Sequence, residues 1–320
     1  MRLNRKRWLF AGCIAAAGIW FILQPYSGQI KQKIYKVVSN SVHTVTGQNV
    51  FASGSLDAQA AIVINQDSGE VLYGMNADDR LAPASTTKVM TALLAIEMAD
   101  MKEQVTVGQE VLLANPGESL AGLRFGQQLS WKDLLEAMML PSGNDAARTV
   151  AVQLGRQVRA DASLDAEEAI RVFVQCMNDR AEQLGLRNTH FMNPHGLHDA
   201  NHYSSAHDLA VIAKEAMKSK LFRAIVGQST ADVKLVSENM EKIMKSYTNR
   251  NRLLQQESEY YYEGSTGIKT GFTDQAGYCL VSAAERNDHR MITVVLHSGS
   301  NSVWTDAREL LDYGFGQYAG

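Results

Sequence analysis

Pro83-Ala84-Ser85-Thr86-Thr87-Lys88-Val89-Met90-Thr91-Ala92-Leu93-Leu94-Ala95-Ile96 is the stretch from which the rest of the chain is read. A Ser and a Lys three positions apart at the head of an apolar run lie on one face of a helix, within reach of each other. A serine hydroxyl needs a base before it becomes a nucleophile, and a desolvated, neutral lysine amine can serve. Ser85 and Lys88 are therefore candidate nucleophile and base. S-x-x-K alone is a weak signal, so its weight rests on what else the chain carries.

Composition sets the frame. The 320 residues are 45% hydrophobic and 20% charged, which suits one large or two small globular domains. Net charge is −3 and no Lys/Arg run lies beyond the N-terminal region, which argues against a nucleic-acid partner. No internal repeat or Gly/Ser/Pro tract divides the body of the chain. Arg2, Arg5, Lys6 and Arg7 precede an uncharged apolar stretch from Trp8 to Leu23, closed by Gln24-Pro25. Positive charge before an apolar core keeps the N-terminus inside and sends the remainder across a membrane. Residues 1–24 are read as a membrane anchor or a signal segment. The anchor is favoured because Tyr26-Ser27-Gly28 makes a poor cleavage site. Residues 25–57 are read as a linker and 58–320 as the folded domain, with an extracytoplasmic location. Cys13 falls in the apolar stretch, and Cys176 and Cys279 are expected to be buried free thiols rather than a disulfide framework.

Along the body, Ala60 to Asn65 reads as a buried strand, Asp67-Ser68-Gly69 as a turn and Glu70 to Gly74 as the partner strand. Helical patterns follow from Ser85 to Met98, Trp131 to Met139, Asp145 to Leu154, Ala166 to Gly185 and Ser205 to Ser219. Asn193 to Ser205 is a loop rich in His, Asn, Asp and Gly. Gly277 to Glu285 and Met291 to Ser298 form a hairpin, and Trp304 to Tyr313 a last helix. Strands at both ends with helices between predict an α+β fold. One antiparallel sheet is closed by the chain ends, with helices on its faces and an inserted helical lobe.

Two further motifs join Ser85 and Lys88. Ser142-Gly143-Asn144 lies in a break between helices, where a short loop can hold a hydroxyl and an amide in a cleft. Lys269-Thr270-Gly271 precedes the hairpin at a predicted strand edge, where Gly lets a substrate backbone approach. S-x-x-K, S-x-N and K-T-G in this order form the motif set of class A β-lactamases and penicillin-binding proteins. With Leu140-Pro141 before the second motif, Asn193-Pro194-His195-Gly196-Leu197 and Gly267-Ile268-Lys269-Thr270-Gly271-Phe272-Thr273, the chain resembles the D-alanyl-D-alanine carboxypeptidases, the low-molecular-mass penicillin-binding proteins. The likeness runs from about Ala58 to Tyr318 and implies a β-lactamase/transpeptidase-like fold.

The resemblance also implies a mechanism. Ser85 attacks the carbonyl between two D-alanines of a peptidoglycan stem peptide, Lys88 takes its proton, and Ser142 relays a proton to the leaving nitrogen. Asn144 holds the substrate amide, and the N–H groups of Ser85 and Phe272 form the oxyanion hole. Thr270, with Lys269, receives the terminal carboxylate, and Gly271 lets the substrate backbone approach closely. β-Lactam antibiotics are expected to acylate the same serine, and no cofactor or metal is implied. Many relatives continue into a β-rich domain and a C-terminal amphipathic helix. The sequence to Gly320 contains neither, which adds to the expectation of an N-terminal anchor.

One departure from the family pattern bears on specificity. Some relatives use an arginine just before the last helix to grip the carboxylate, where this chain reads Ser302-Val303-Trp304. Arg308 lies a turn further on, and Asn249-Arg250-Asn251 is the alternative source of charge. This leaves a D,D-endopeptidase of cross-links as an alternative. A β-lactamase would need an efficient deacylating base, and Asn193-Pro194-His195-Gly196 offers no clear equivalent. A non-catalytic stem-peptide binder would gain nothing from the Ser85–Lys88 pair. His195, His198 and His202 beside Asp199 suggest a metal site, but without the Glu of an H-E-x-x-H pattern. His195 is expected to shape the loop over the site and Asp208 to pin that loop.

Overall fold

Ala60–Asn65 forms β1, and all six of its residues are buried. A continuous apolar strand with no solvent face belongs inside a sheet covered on both sides. β1 is paired by β2 (Val71–Met75) on one edge and by β9 (His289–Ser298) on the other. Beyond β9 lie β8 (Gly277–Arg286) and then β7 (Ser265–Thr273), and every neighbouring pair is antiparallel. The first and last strands thus meet in one sheet, as the sequence predicts. The computed structural model describes residues 56–318, and Asp57–Gly320 is one compact unit. The readings of residues 1–24, of Cys13 and of nearly all of the 25–57 linker lie outside the described residues.

Alternation with a period of two divides this sheet between two layers. Ile62 and Ile64 of β1, Val281 and Ala283 of β8, and Ile292 and Val294 of β9 join the main core. The intervening Ala61, Val63, Met291 and Val295 are buried on the opposite face, where helix α7 (Ser302–Gly316) packs and Gly314 approaches Val63 and Met291. Each fully buried Ile or Val side chain contributes about 2 kcal/mol of transfer free energy.

The remaining helices are α1 (Lys88–Met98), α2 (Trp131–Met139), α3 (Asn144–Arg159), α4 (Ala166–Gln183), α5 (Ala206–Ala216) and α6 (Lys220–Val226). α1 is apolar on every side, with Val89, Met90 and Ala92 to Ala95 all buried, as befits a helix threaded through the lobe. It packs against α3 and α5, and its central course carries Lys88 into the interior. α2 starts at Ser130, whose hydroxyl accepts the Asp133 N–H as an N-cap.

The structure differs from the expected helical lobe in one large element. A second antiparallel sheet runs in the order β3 (Gln104–Thr106), β4 (Gln128–Ser130), β5 (Thr230–Val236) and β6 (Lys242–Thr248). Ala231, Val233 and Leu235 alternate inward along β5. Ser237-Glu238-Asn239, the other S-x-N sequence, turns the β5–β6 hairpin through the Met240 N–H to Ser237 O bond of 2.9 Å. The predicted helix from Ser205 to Ser219 is also corrected: α5 stops at Ala216 and Ser219 caps a separate α6. Cys279 is a buried free thiol, whereas Cys176, inside α4, is only half-buried.

Candidate active site

Ser85 sits in a single 3-10 turn, Ala84–Thr87, immediately before α1. The turn is tied by local polar side chains: Thr86 Oγ1 donates to Pro83 O at 2.6 Å and Thr87 Oγ1 to Ala84 O at 2.8 Å. Ala84 has φ of +46°, so the turn is a conformation that its own residues do not favour. Two glycines press on it from opposite elements. A Cβ on Gly196, whose φ is +91°, would lie 1.8 Å from Ala84 O. A Cβ on Gly271 of β7 would lie 3.0 Å from Ser85 N. Only glycine permits both approaches.

Lys88 is fully buried, and its Nζ lies 3.0 Å from Ser85 Oγ, 2.7 Å from Asn144 Oδ1 and 2.8 Å from His195 O. Burial pushes its pKa well below the ordinary lysine value, and the positive charges of Lys269, Arg250 and Arg148 push it further, against an opposing contribution from Asp145. In the neutral amine two N–H bonds serve the Asn144 and His195 carbonyls. The lone pair is then left for the Ser85 hydroxyl proton, which is the geometry of a general base.

Ser142 lies in the break between α2 and α3 and Asn144 opens α3, and both are buried. Ser142 has φ of +68°, and the loop is packed so closely that a Cβ on Gly143 would lie 2.7 Å from Ala137 O. Asp145, next along, accepts the N–H groups of Ala121, Gly122 and Leu123 at 2.8, 2.7 and 2.9 Å, fastening a neighbouring loop to the head of α3. Asn144 Nδ2 donates to Glu118 Oε2 at 3.0 Å.

Lys269, Thr270, Gly271 and Phe272 lie on β7, the end strand of the main sheet. Lys269 is buried, donates to Thr270 O at 3.0 Å, and has its pKa lowered to about 7 by burial and then by Arg250. Phe272 is half exposed, its ring 4.4 Å from that of Tyr278. The structure thus brings Ser85, Lys88 and Asn144 into direct contact, with Gly271 beside the turn. Of the two arginines weighed for the carboxylate, Arg308 donates to Glu259 O at 3.2 Å, whereas Arg250 carries its charge close to Lys88 and Lys269.

The loop from Asn193 to His202 supports the site through its backbone. His195 contributes its carbonyl to Lys88, and Pro194 O accepts Thr91 Oγ1 at 2.6 Å. His202 was not among the expected site residues except as a metal candidate, yet it reaches the serine turn. Its Nδ1 accepts the Met192 N–H at 3.0 Å, so its Nε2–H donates to Thr87 Oγ1 at 2.8 Å. Both ring nitrogens are thereby used, and burial lowers the pKa to about 4. Among the described residues no group of three or more His, Cys, Asp or Glu is arranged to hold a metal ion. Asp208 accepts Asn188 N–H and Thr189 Oγ1, both at 2.8 Å, and so ties down the segment that leads into the loop.

Comparison with known proteins places this geometry in a family. The Peptidase S11 model, D-alanyl-D-alanine carboxypeptidase, matches residues 46–300. The chain is 35% identical over 267 residues to D-alanyl-D-alanine carboxypeptidase DacF of Bacillus subtilis (strain 168), a match covering 82% of this chain and 63% of that longer protein. It is 35% identical over 268 residues to the D-alanyl-D-alanine carboxypeptidase of Streptomyces sp. (strain K15), covering 82% of this chain and 88% of the relative. The crystal structure of the Streptomyces K15 DD-transpeptidase superposes with a TM-score of 0.75 at 33% identity, covering 81% of this chain and 97% of that one. The two sheets and the buried serine–lysine turn are therefore those of a transpeptidase-like fold, and the chain belongs to the D-alanyl-D-alanine carboxypeptidase family of serine peptidases.

Proposed function

We infer that the chain removes the terminal D-alanine from peptidoglycan stem peptides through a Ser85 acyl-enzyme, and that β-lactams acylate the same serine. The observation that carries this reading is the buried Lys88 amine, 3.0 Å from Ser85 Oγ and surrounded by cations that favour its neutral form. Ser85 Oγ bonds to the carbonyl carbon of the penultimate D-alanine while its proton passes to Lys88 Nζ. The carbonyl oxygen becomes an oxyanion facing the N–H groups of Ser85 and Phe272. The close approach of Gly271 to Ser85 N supports that pairing. The C–N bond then breaks as Ser142 gives its proton to the leaving nitrogen and takes up the one held by Lys88 Nζ, so free D-alanine departs and Lys88 is neutral again. Water repeats the cycle on the ester, returning the proton to Ser85.

Binding is assigned to the open side of β7. An end strand offers unpaired backbone groups to an extended peptide, with Asn144 toward the substrate amide and Lys269 and Thr270 toward its carboxylate. Arg250 adds positive charge there, which favours a free carboxylate and hence the carboxypeptidase over an endopeptidase. Transfer of the acyl group to an amine instead of water is the second reading, since one Streptomyces K15 relative is described both as a carboxypeptidase and as a DD-transpeptidase.

The N-terminal Arg/Lys cluster and apolar stretch support an extracytoplasmic enzyme held at the membrane by residues 1–24. No helix among the described residues is long and apolar enough to cross a membrane. The test of the reaction is release of D-alanine from a stem pentapeptide ending in D-Ala-D-Ala, with Ser85→Ala as control. Release and penicillin labelling are both expected to disappear in the variant. Labelling that survives Ser85→Ala would remove Ser85 as nucleophile.

A further inference from the structure

Glu118 lies in the segment between a short 3-10 helix, Gln109–Leu113, and β4, and no sequence motif marks it. Its side chain is 3% exposed and that of Arg148, on α3, is 5% exposed. Arg148 Nη2 donates to Glu118 at 2.8 Å, and the Asn115 N–H donates to Glu118 Oε1 at 2.8 Å. Burial alone would raise the Glu118 pKa, but these bonds and the one from Asn144 outweigh it and hold the pKa below the usual value. The carboxylate is therefore ionised and can only accept hydrogen bonds.

The consequence reaches the base through one amide. Asn144 Nδ2 donates to Glu118 Oε2 at 3.0 Å, which turns Asn144 Oδ1 toward Lys88 Nζ at 2.7 Å. The reverse orientation would set an amide oxygen against a carboxylate. It would also aim an NH2 group at Lys88, where it would donate to the lone pair that the Ser85 proton needs.

We propose that Glu118, charge-matched by Arg148, is a positioning residue that locks the Asn144 amide oxygen toward Lys88 and so keeps the lysine lone pair free for Ser85. The proposal deepens the acyl-enzyme reading above and rests on it. Glu118 touches neither Ser85 nor Lys88; it acts through Asn144. Glutamine cannot replace it, because a primary amide that accepts from Asn144 must turn its own NH2 toward Arg148. Arg148 has a second role on the same base. Its charge faces Lys88 from α3 together with that of Asp145, while Lys269 faces it from β7, Arg250 from the segment after β6, and the His195 imidazole from the loop.

The test uses the full-length chain and a fluorescent penicillin, with acylation rate and pre-acylation binding measured separately from about pH 5 to about pH 9. Glu118→Gln breaks the lock but strands a buried guanidinium, so a second variant is needed. In Glu118→Leu/Arg148→Met the buried pair is replaced by apolar side chains, an exchange that commonly preserves folding. Both variants are expected to lose about 100-fold in acylation rate, with a smaller loss in pre-acylation binding because Asn144 also faces the substrate amide. The loss should persist at the alkaline end, where a change in the Lys88 pKa alone would matter least. Wild-type acylation by the folded double variant would overturn the proposal and make the pair purely structural. A loss that vanishes at high pH would also overturn it, because the pair would then act on charge alone and not on orientation. Absence of labelling in the unaltered chain would sink the acyl-enzyme reading and this proposal together.

Discussion

The serine turn and the β7 strand are both built around a buried lysine, yet they treat it in opposite ways. Lys88 is enclosed by three hydrogen-bonding partners from three segments, and the turn beside it is pressed by glycines and tied by threonines. Among the described residues Lys269 has one hydrogen-bonding partner, the carbonyl of the next residue, on a strand at the end of its sheet. The first arrangement fixes atoms that must meet at bonding distance. The second leaves donor capacity unspent, as a surface that awaits a ligand must. Chemistry is lodged where polar groups are saturated, and recognition where they are not.

That contrast is most sharply broken at Lys88. Lys88→Met keeps the volume and removes the amine, so Ser85-dependent acylation should fall by about 1,000-fold or more while penicillin binding before acylation is retained. A stopped-flow measurement that separates the two steps checks this; a fall in binding alone would move Lys88 to the recognition half. Lys269→Ala probes the other half. It should cost about 100-fold in kcat/KM for a carboxylate-bearing peptide, with a thermal midpoint close to that of the parent. The parent should also bind its substrate less well as pH rises above about 7, where free Lys269 loses its proton. An unchanged KM across that range would place the carboxylate elsewhere, with Arg250 the first position to examine.

The third effect is absent at neutral pH and appears only in acid. His202 binds the turn as a neutral imidazole, and its pKa falls from 6.5 to about 4 on folding. The unfolded chain therefore takes up a proton first as pH drops. The stabilisation is fully present above pH 6.5 and is lost as pH falls toward 4, amounting to about 3 kcal/mol at about 1.4 kcal/mol per pH unit. Unfolding by urea at a series of pH values should show this slope, reduced in His202→Gln. An equal slope in that variant would assign the acid sensitivity to another group.

Much of the site is legible in the sequence because its motifs are contiguous. Ser85 and Lys88 share one helical turn, Ser142 and Asn144 stand together at the start of α3, and Lys269 to Phe272 share one strand. The strands of the main sheet are equally plain, since β1, β8 and β9 each carry a largely apolar run. What escapes is built from pairs distant in the chain. His202 meets Thr87 across 115 positions and Arg148 meets Glu118 across 30, and neither pair has a spacing that a single sequence can signal. The second sheet is hidden for a different reason. β3 and β4 have three residues each, too few to establish a period, although the alternation of Ala231, Val233 and Leu235 is a readable strand pattern.

Gly196 and Gly271 carry a further consequence for how this chain tolerates change. Neither has a side chain with which to contact a substrate, yet each lies against the backbone that presents the nucleophile. In a map of permitted substitutions Gly196 would look as intolerant as Ser85, because its first added carbon meets a carbonyl oxygen. Gly271 would rank just behind it, since its contact is looser. Sensitivity to mutation at these positions measures clearance, in fractions of an ångström, and a ranking by sensitivity alone would mistake that clearance for chemistry.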